Sequence, residues 1–248
     1  MSQSSMIAGG VIFGAVLLYM VLSIILRRRR MIIFRPIPAF RILNQMMSRS
    51  VEQGQSLHIA LGSGSLIGNH STIGLSGLVT LENLSRVSLI ADRPAACTTG
   101  DGGLDVLSRD ILNQTYRQSI KLGINQRAQA LLTGATPGTY IMGTLTALLD
   151  DSFSGSVLIG DFNNLAILLT GLPFHDHVVL GATDNLATQA AFYASSDETL
   201  LGEDVYAAGA YTAPNSSRSA SLLTQDVLRW LVVVATLAVI ILKIAGSL

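Results

Sequence analysis

One cysteine, Cys97, stands in 248 residues. No intramolecular disulfide is open to the chain, which fits a reducing compartment. Charge is scarce as well: 13% of residues are Asp, Glu, Lys or Arg, against about 25% in ordinary soluble proteins. The charges that are present separate by sign. Arg27 to Arg49 holds seven arginines and no acid, while Val51 to Ser217 holds six basic residues against fifteen acidic ones, a net of −9. An acidic body lacks the basic face needed to neutralise phosphates, which argues against nucleic acid as a partner. The sequence also lacks G-x-x-x-x-G-K-[ST], so P-loop chemistry has no support, and it lacks the G-x-S-x-G elbow of serine hydrolases.

What is present first is an apolar run. Residues 7–26 carry no charge, and Arg27, Arg28, Arg29 and Arg30 follow. Twenty helical residues span about 30 Å, the thickness of a bilayer's hydrocarbon core. A signal peptide would place its positive charge before the apolar run and a small-residue cleavage site after it. The order here is the reverse and predicts a retained transmembrane helix. A second span is expected over 227–246, where Arg229 and Lys243 bracket an apolar stretch and Trp230 provides an interfacial anchor. Positive residues concentrate on the cytoplasmic side of membranes. The arginine collar therefore predicts a body in the cytosol, with Arg27 to Arg30 on anionic lipid headgroups of the bilayer. Gly10 and Gly14, four residues apart, form a small-residue groove on the first span and point to a homo-oligomer.

Between the anchors, residues 27–53 read as a basic juxtamembrane segment, extended through Pro36 and Pro38 and helical from Ala39, with Phe40, Leu43 and Met47 on one face and Gly54 as the stop. Residues 54–213 repeat a short apolar run, a polar loop and a helical stretch. The expected strands are 57–61, 95–99, 128–133, 156–160 and 177–181. The expected helices are 71–91, 103–121, 139–149, 163–170 and a last one near 203–210. Strands alternating with helices predict an α/β fold: a doubly wound, mostly parallel five-stranded sheet, flanked by the N- and C-terminal transmembrane helices. Serine-rich residues 214–226 read as a linker back to the membrane.

In such a fold ligands sit at the carboxyl ends of the strands. The loop after the first strand is Gly62-Ser63-Gly64-Ser65-Leu66-Ile67-Gly68, one residue longer than the dinucleotide fingerprint. The acid expected about twenty residues on, Glu82, falls within a helix rather than at a strand end. A tight turn packed against neighbouring backbone is the favoured reading of these glycines. Thr98, Thr99 and Asp101, then Asp161, then Asp184, follow the later strands. With Ser63 and Ser65 they are candidate ligands for a nucleotide or for Mg²⁺ held through oxygen. Helix capping is the favoured role for each of them taken separately, since Asp, Ser and Thr are preferred N-caps. His175-Asp176-His177 lies before a strand at the opposite edge and is read as structural, so no metal-ligating residue is assigned. His70 is the one loop histidine at the glycine edge.

The stretches FRPIPAF (34–40), TTGDGGLDVLSRDIL (98–112), SVLIGDF (156–162) and GEDVYAAGAY (202–211) resemble an uncharacterised family of bacterial two-helix membrane proteins. The resemblance implies an anchored Rossmann-like domain in the bacterial cytoplasmic membrane, with its body in the cytosol, and supplies no activity or cofactor. The expected function is a binding or assembly module, for which the small-residue run Ala207–Ala210 and the anchor glycines offer surfaces. The alternative is a nucleotide- or Mg²⁺-dependent enzyme or sensor with its site at the Gly62–Gly68 edge.

Overall fold

The structure is a computed structural model; it describes residues 35–68, 70–88, 94–121, 129–150, 153–171 and 177–212, with 222, 224–233 and 236. The chain divides into two compact units, Arg35–Thr212 and the pair of terminal segments Met1–Phe34 with Ala213–Leu248. Among the described residues no helix is long and apolar enough to cross a membrane. The expected span 7–26 and the arginines at 27–30 lie outside the described residues, as does most of 227–246. Of the terminal unit, residues 224–233 are helical, so helix begins within the segment read as a linker.

The body opens on α1 (Pro38–Gln53), with proline in its first turn and Gly54 at φ 62° ending it. Proline suits that position because its missing N–H has no helical partner there. The helix thus starts one residue earlier than expected, and Phe40, Leu43 and Met47 are buried together as their spacing implied. The succession then runs β1 (Ser56–Gly62), α2 (Ser71–Ser88), β2 (Ala96–Thr99), α3 (Gly102–Lys121), β3 (Gln129–Leu132), α4 (Pro137–Asp150), β4 (Phe153–Asp161), a 3₁₀ turn (Asn164–Ala166) leading into α5 (Ile167–Thr170), β5 (Val178–Ala182), α6 (Leu186–Ser195), β6 (Glu198–Leu200), and a 3₁₀ helix (Gly202–Ala207) leading into α7 (Ala208–Thr212).

The strands form one sheet in the order β3-β2-β1-β4-β5-β6, and each neighbouring pair is parallel. β1 and β4 are buried almost throughout, as parallel strands covered on both faces should be. Successive strand residues point to opposite faces, and the packing follows that alternation. Leu61 and Ile159 meet α2, where Gly77 lets the helix close in: a methyl group there would lie 2.7 Å from Leu61 Cδ2 and 2.8 Å from Ile159 O. Ala60 and Leu158 face the other way, into a cluster with Tyr140, Ile141, Leu148, Phe162, Leu169, Val179 and Phe192 from α4, α5, α6 and the strands beside them. Both faces of the sheet therefore carry an apolar layer.

The sheet has six strands rather than the five expected. β6 is a three-residue edge strand, Glu-Thr-Leu, too short and too polar to give a hydrophobic run. α6 was also not expected; its stretch, LATQAAFYAS, is mostly small residues and shows little apolar periodicity. The helix expected near 203–210 is a 3₁₀ helix continued by a short α-helix, and the one expected over 163–170 is likewise divided.

Candidate functional site

The strand order reverses direction between β1 and β4. In open α/β sheets this switch point is where the loops part at the carboxyl edge and leave a crevice. Here the end of β1 is stitched by backbone to both its neighbours, β4 and β2. Ser63 N donates to Asp161 O at 3.0 Å, and Gly100 N donates to Gly62 O at 2.8 Å. Gly62 N donates to the buried Tyr140 hydroxyl at 3.1 Å. Gly62 has φ 76°, and a side chain there would strike the Asp161 carbonyl; one at Gly64 would strike the Asp161 side chain. The glycines of this loop thus admit the end of β4, and the Gly62 and Ser63 N–H groups are committed to protein rather than offered to an anion. Ser65 Oγ accepts from Ile67 N at 3.2 Å, closing its own turn. Gly68, at φ 143°, has open space around its Cα.

The other expected residues sort into two places. Asp101 caps α3, accepting from Gly103 N and Leu104 N at 3.0 Å each. Thr98 turns into the sheet, where its Oγ1 lies 3.0 Å from His58 Nε2. Thr99 is fully buried, and its Oγ1 has no partner among the described residues. None of these three joins the Asp161 group. His177 is structural, as read: its Nδ1 lies 3.1 Å from Phe153 O and its Nε2 3.0 Å from Ser156 Oγ. His175 and Asp176 lie outside the described residues. The cap of α6 is Asn185, whose Oδ1 accepts from Ala187 N and Thr188 N, so Asp184 is released from the capping role weighed for it.

Asp184 instead reaches the residue before α2. His70 Nδ1 lies 2.7 Å from Asp184 Oδ2. Asp161, at the end of β4, completes the group: one ligand atom from each of His70, Asp161 and Asp184 falls within 4.8 Å of the others. The three come from the ends of three strand–helix connections, with no local motif to join them. Position was their only signal, since each follows or precedes an element at the same edge. His70 is exposed and the two carboxylates are partly buried. The hydrogen bond to Asp184, then the charges of Asp161 and Asp184, raise the His70 pKa. Burial raises the Asp161 pKa, with His70 opposing and Asp184 adding to the shift. Asp184 Oδ1 is buried without a partner among the described residues. Beside this group, burial and the charge of Asp184 raise the Tyr206 pKa. An imidazole and two carboxylates converging on one point can grip a cation or an amine, or move a proton between bound groups.

Fold and site together define a Rossmann-like α/β domain with a polar cluster at its switch point. The chain belongs to the family described as "Domain of unknown function (DUF6754)", whose profile matches residues 2–248. No curated protein matches the chain. No solved structure matches it either.

Proposed function

We propose that this protein is a membrane-anchored binding module whose body, on the cytosolic side of a bacterial membrane, takes its ligand at the carboxyl edge of the sheet between β1 and β4. The observation that carries this reading is the meeting of His70, Asp161 and Asp184 at the switch point. The expected assembly surface at Ala207–Ala210 gives less support, because Ala207, Ala208 and Ala210 are buried within the body. Anchoring is supported by the twenty uncharged residues before Arg27 and by the way the ends of the body are tied. Arg35 Nη2 donates to both carboxylate oxygens of Asp204, at 2.8 and 2.9 Å, and the Tyr211 hydroxyl donates to Arg35 O at 2.8 Å. Phe40 stacks on Tyr211 with ring centroids 4.4 Å apart. Entry to and exit from the body therefore lie side by side, as two neighbouring membrane helices require. Arg27 to Arg30 would rest on anionic headgroups, and the Gly10–Gly14 groove would support self-association.

A second reading, an enzyme or sensor that depends on a nucleotide or a divalent ion, draws on the same cluster. Thermal shift of the full-length protein in detergent against nucleotides and other phosphate-bearing compounds tests both. The expected result is a saturable rise in Tm with at least one compound, lost in Asp161→Asn. If no compound raises Tm, or if Asp161→Asn responds like wild type, the site is misplaced.

A further inference from the structure

Three polar clusters among the described residues contrast in what they can hold. The first is the set of His58, Thr98 and Ser156, buried in the sheet, with the half-buried His177 at its margin. The second is Asp105 with Arg109, an ion pair one turn apart along α3. The third is His70 with Asp161 and Asp184, and it alone opens to solvent with a mixed set of ligand atoms.

We infer that His70, Asp161 and Asp184 form a divalent-metal site at the switch point, selective for a first-row ion such as Mn²⁺ or Zn²⁺ over Mg²⁺. The inference rests on the ligand-site reading above and names what the site holds. Two independent observations converge on it. Donor atoms of the three side chains already lie within 4.8 Å of one another, while ligands around a tetrahedral ion with bonds of about 2.1 Å stand roughly 3.4 Å apart. Closing the set needs side-chain movement only. In addition, Asp184 Oδ1 is buried without a hydrogen-bond partner among the described residues, an arrangement that is costly unless something binds there.

The choice of ion follows from the donors. Imidazole suits Zn, Fe, Cu and Ni, and carboxylates suit Mg, Ca and Mn, so one nitrogen with two oxygens favours the borderline first-row ions. Mg²⁺ dehydrates reluctantly and prefers oxygen throughout. The all-oxygen Mg²⁺ set considered from sequence included Asp101, which the fold instead spends on capping α3. His70 has two ways to take part. Its Nε2 can bind the ion while Nδ1–H donates to Asp184, a familiar carboxylate–imidazole–metal arrangement. Alternatively the His70–Asp184 contact opens and both bind directly. In the first arrangement His70 Nε2 and Asp161 hold the ion with Asp184 orienting the ring, and in the second all three bind it; both leave coordination positions for water or for a ligand's oxygen, which is how the metal would serve the binding module.

The test uses the full-length protein in detergent, stripped with EDTA and desalted, and titrated with Mn²⁺ while the EPR signal of the free ion is read. The expected result is saturable binding of about one ion per chain, displaced by Zn²⁺ and not by equal Mg²⁺. His70→Gln and Asp161→Asn should each weaken it about tenfold or more. Asp101→Asn, which keeps a capping side chain, should bind as wild type does. His70 is exposed, so His70→Gln is expected to fold, and an unchanged circular dichroism melt confirms that. Absence of saturable Mn²⁺ and Zn²⁺ binding overturns the inference, as does binding that both site variants leave intact or that Asp101→Asn weakens equally. A phosphate-bearing ligand that raises Tm in EDTA, with no metal bound, overturns the metal site and leaves the ligand-site reading standing. Metal bound as described, with no ligand raising Tm, upholds the metal site and sinks that reading.

Discussion

Two regions of the body use histidine, and they use it in opposite ways. Inside the sheet His58 is fully buried; burial, reinforced by the nearby His177, lowers its pKa to about 3. His177 is lowered by burial as well. Hydroxyls of Thr98 and Ser156 serve these rings, and the charge of Asp197 raises the His177 pKa against the larger effect of burial. At the carboxyl edge His70 stands in water against two carboxylates, and its pKa is raised. The buried His58 and the half-buried His177 are hydrogen-bonding groups that link β1 to β2 and β4 to the start of β5. The edge residue is an exposed ring whose proton the neighbouring carboxylates hold more tightly. Residue type does not separate the two roles; burial and the charge of the neighbours do.

The largest expected effect is steric and lies where the two regions meet. Gly62→Val should cost about 3 kcal/mol or more, since φ is positive there and the side chain would strike the end of β4. Gly54→Ala, also at positive φ but with nothing within 4 Å, should cost only about 1 kcal/mol. Chemical denaturation of the two variants checks the contrast, and equal losses would mean that β1 and β4 are not closely joined at that point.

Next in size is truncation of the interior ring. His58→Ala removes a buried side chain and strands Thr98, for an expected loss of about 2–4 kcal/mol. The same truncation at His70 removes an exposed ion pair and should cost under about 1 kcal/mol. If both losses come out alike, the division into a structural and a functional histidine is wrong.

The pH dependence should sharpen the comparison through its sign. His58 and His177 take up protons more readily unfolded than folded. Their contribution is complete above about pH 6.5 and is lost as pH falls toward the folded value near 3 for His58. Each such group gives a slope of at most about 1.4 kcal/mol per pH unit. His70 runs the other way, contributing fully below about 6.5 and losing that contribution as pH rises through its raised pKa. That term is small because the ring is half exposed. Urea melts from pH 7 to pH 4 should show His58→Asn flattening the acid slope, while His70→Gln leaves it nearly unchanged.

Much of this fold was legible in the sequence, and the misses have physical causes. β1, β2, β4 and β5 announced themselves because strands buried on both faces are continuous apolar or small runs. β6 was not legible: it pairs on one side only and needs no such run. α6 gave its sign in the cap, Asn185, rather than in its apolar spacing. The site was legible in part. The edge followed from the carboxyl ends of the expected parallel strands, and Asp161 and Asp184 were on it. Asp101 takes the capping role favoured for it, and Thr98 turns into the sheet; a loop position does not say whether a side chain turns back onto its own helix, into the sheet or out to a ligand. His70 was passed over since its partners lie 91 and 114 residues away, and only the folded edge brings them together.

The central claim is that the carboxyl edge, and not the polar interior, is where this protein meets its ligand. Anomalous diffraction from crystals of the full-length protein grown with Mn²⁺ tests it most directly. A single strong peak within coordination distance of His70, Asp161 and Asp184 is the result the account predicts. A peak beside His58 and His177, or none at the switch point while the ion is bound elsewhere, would contradict it.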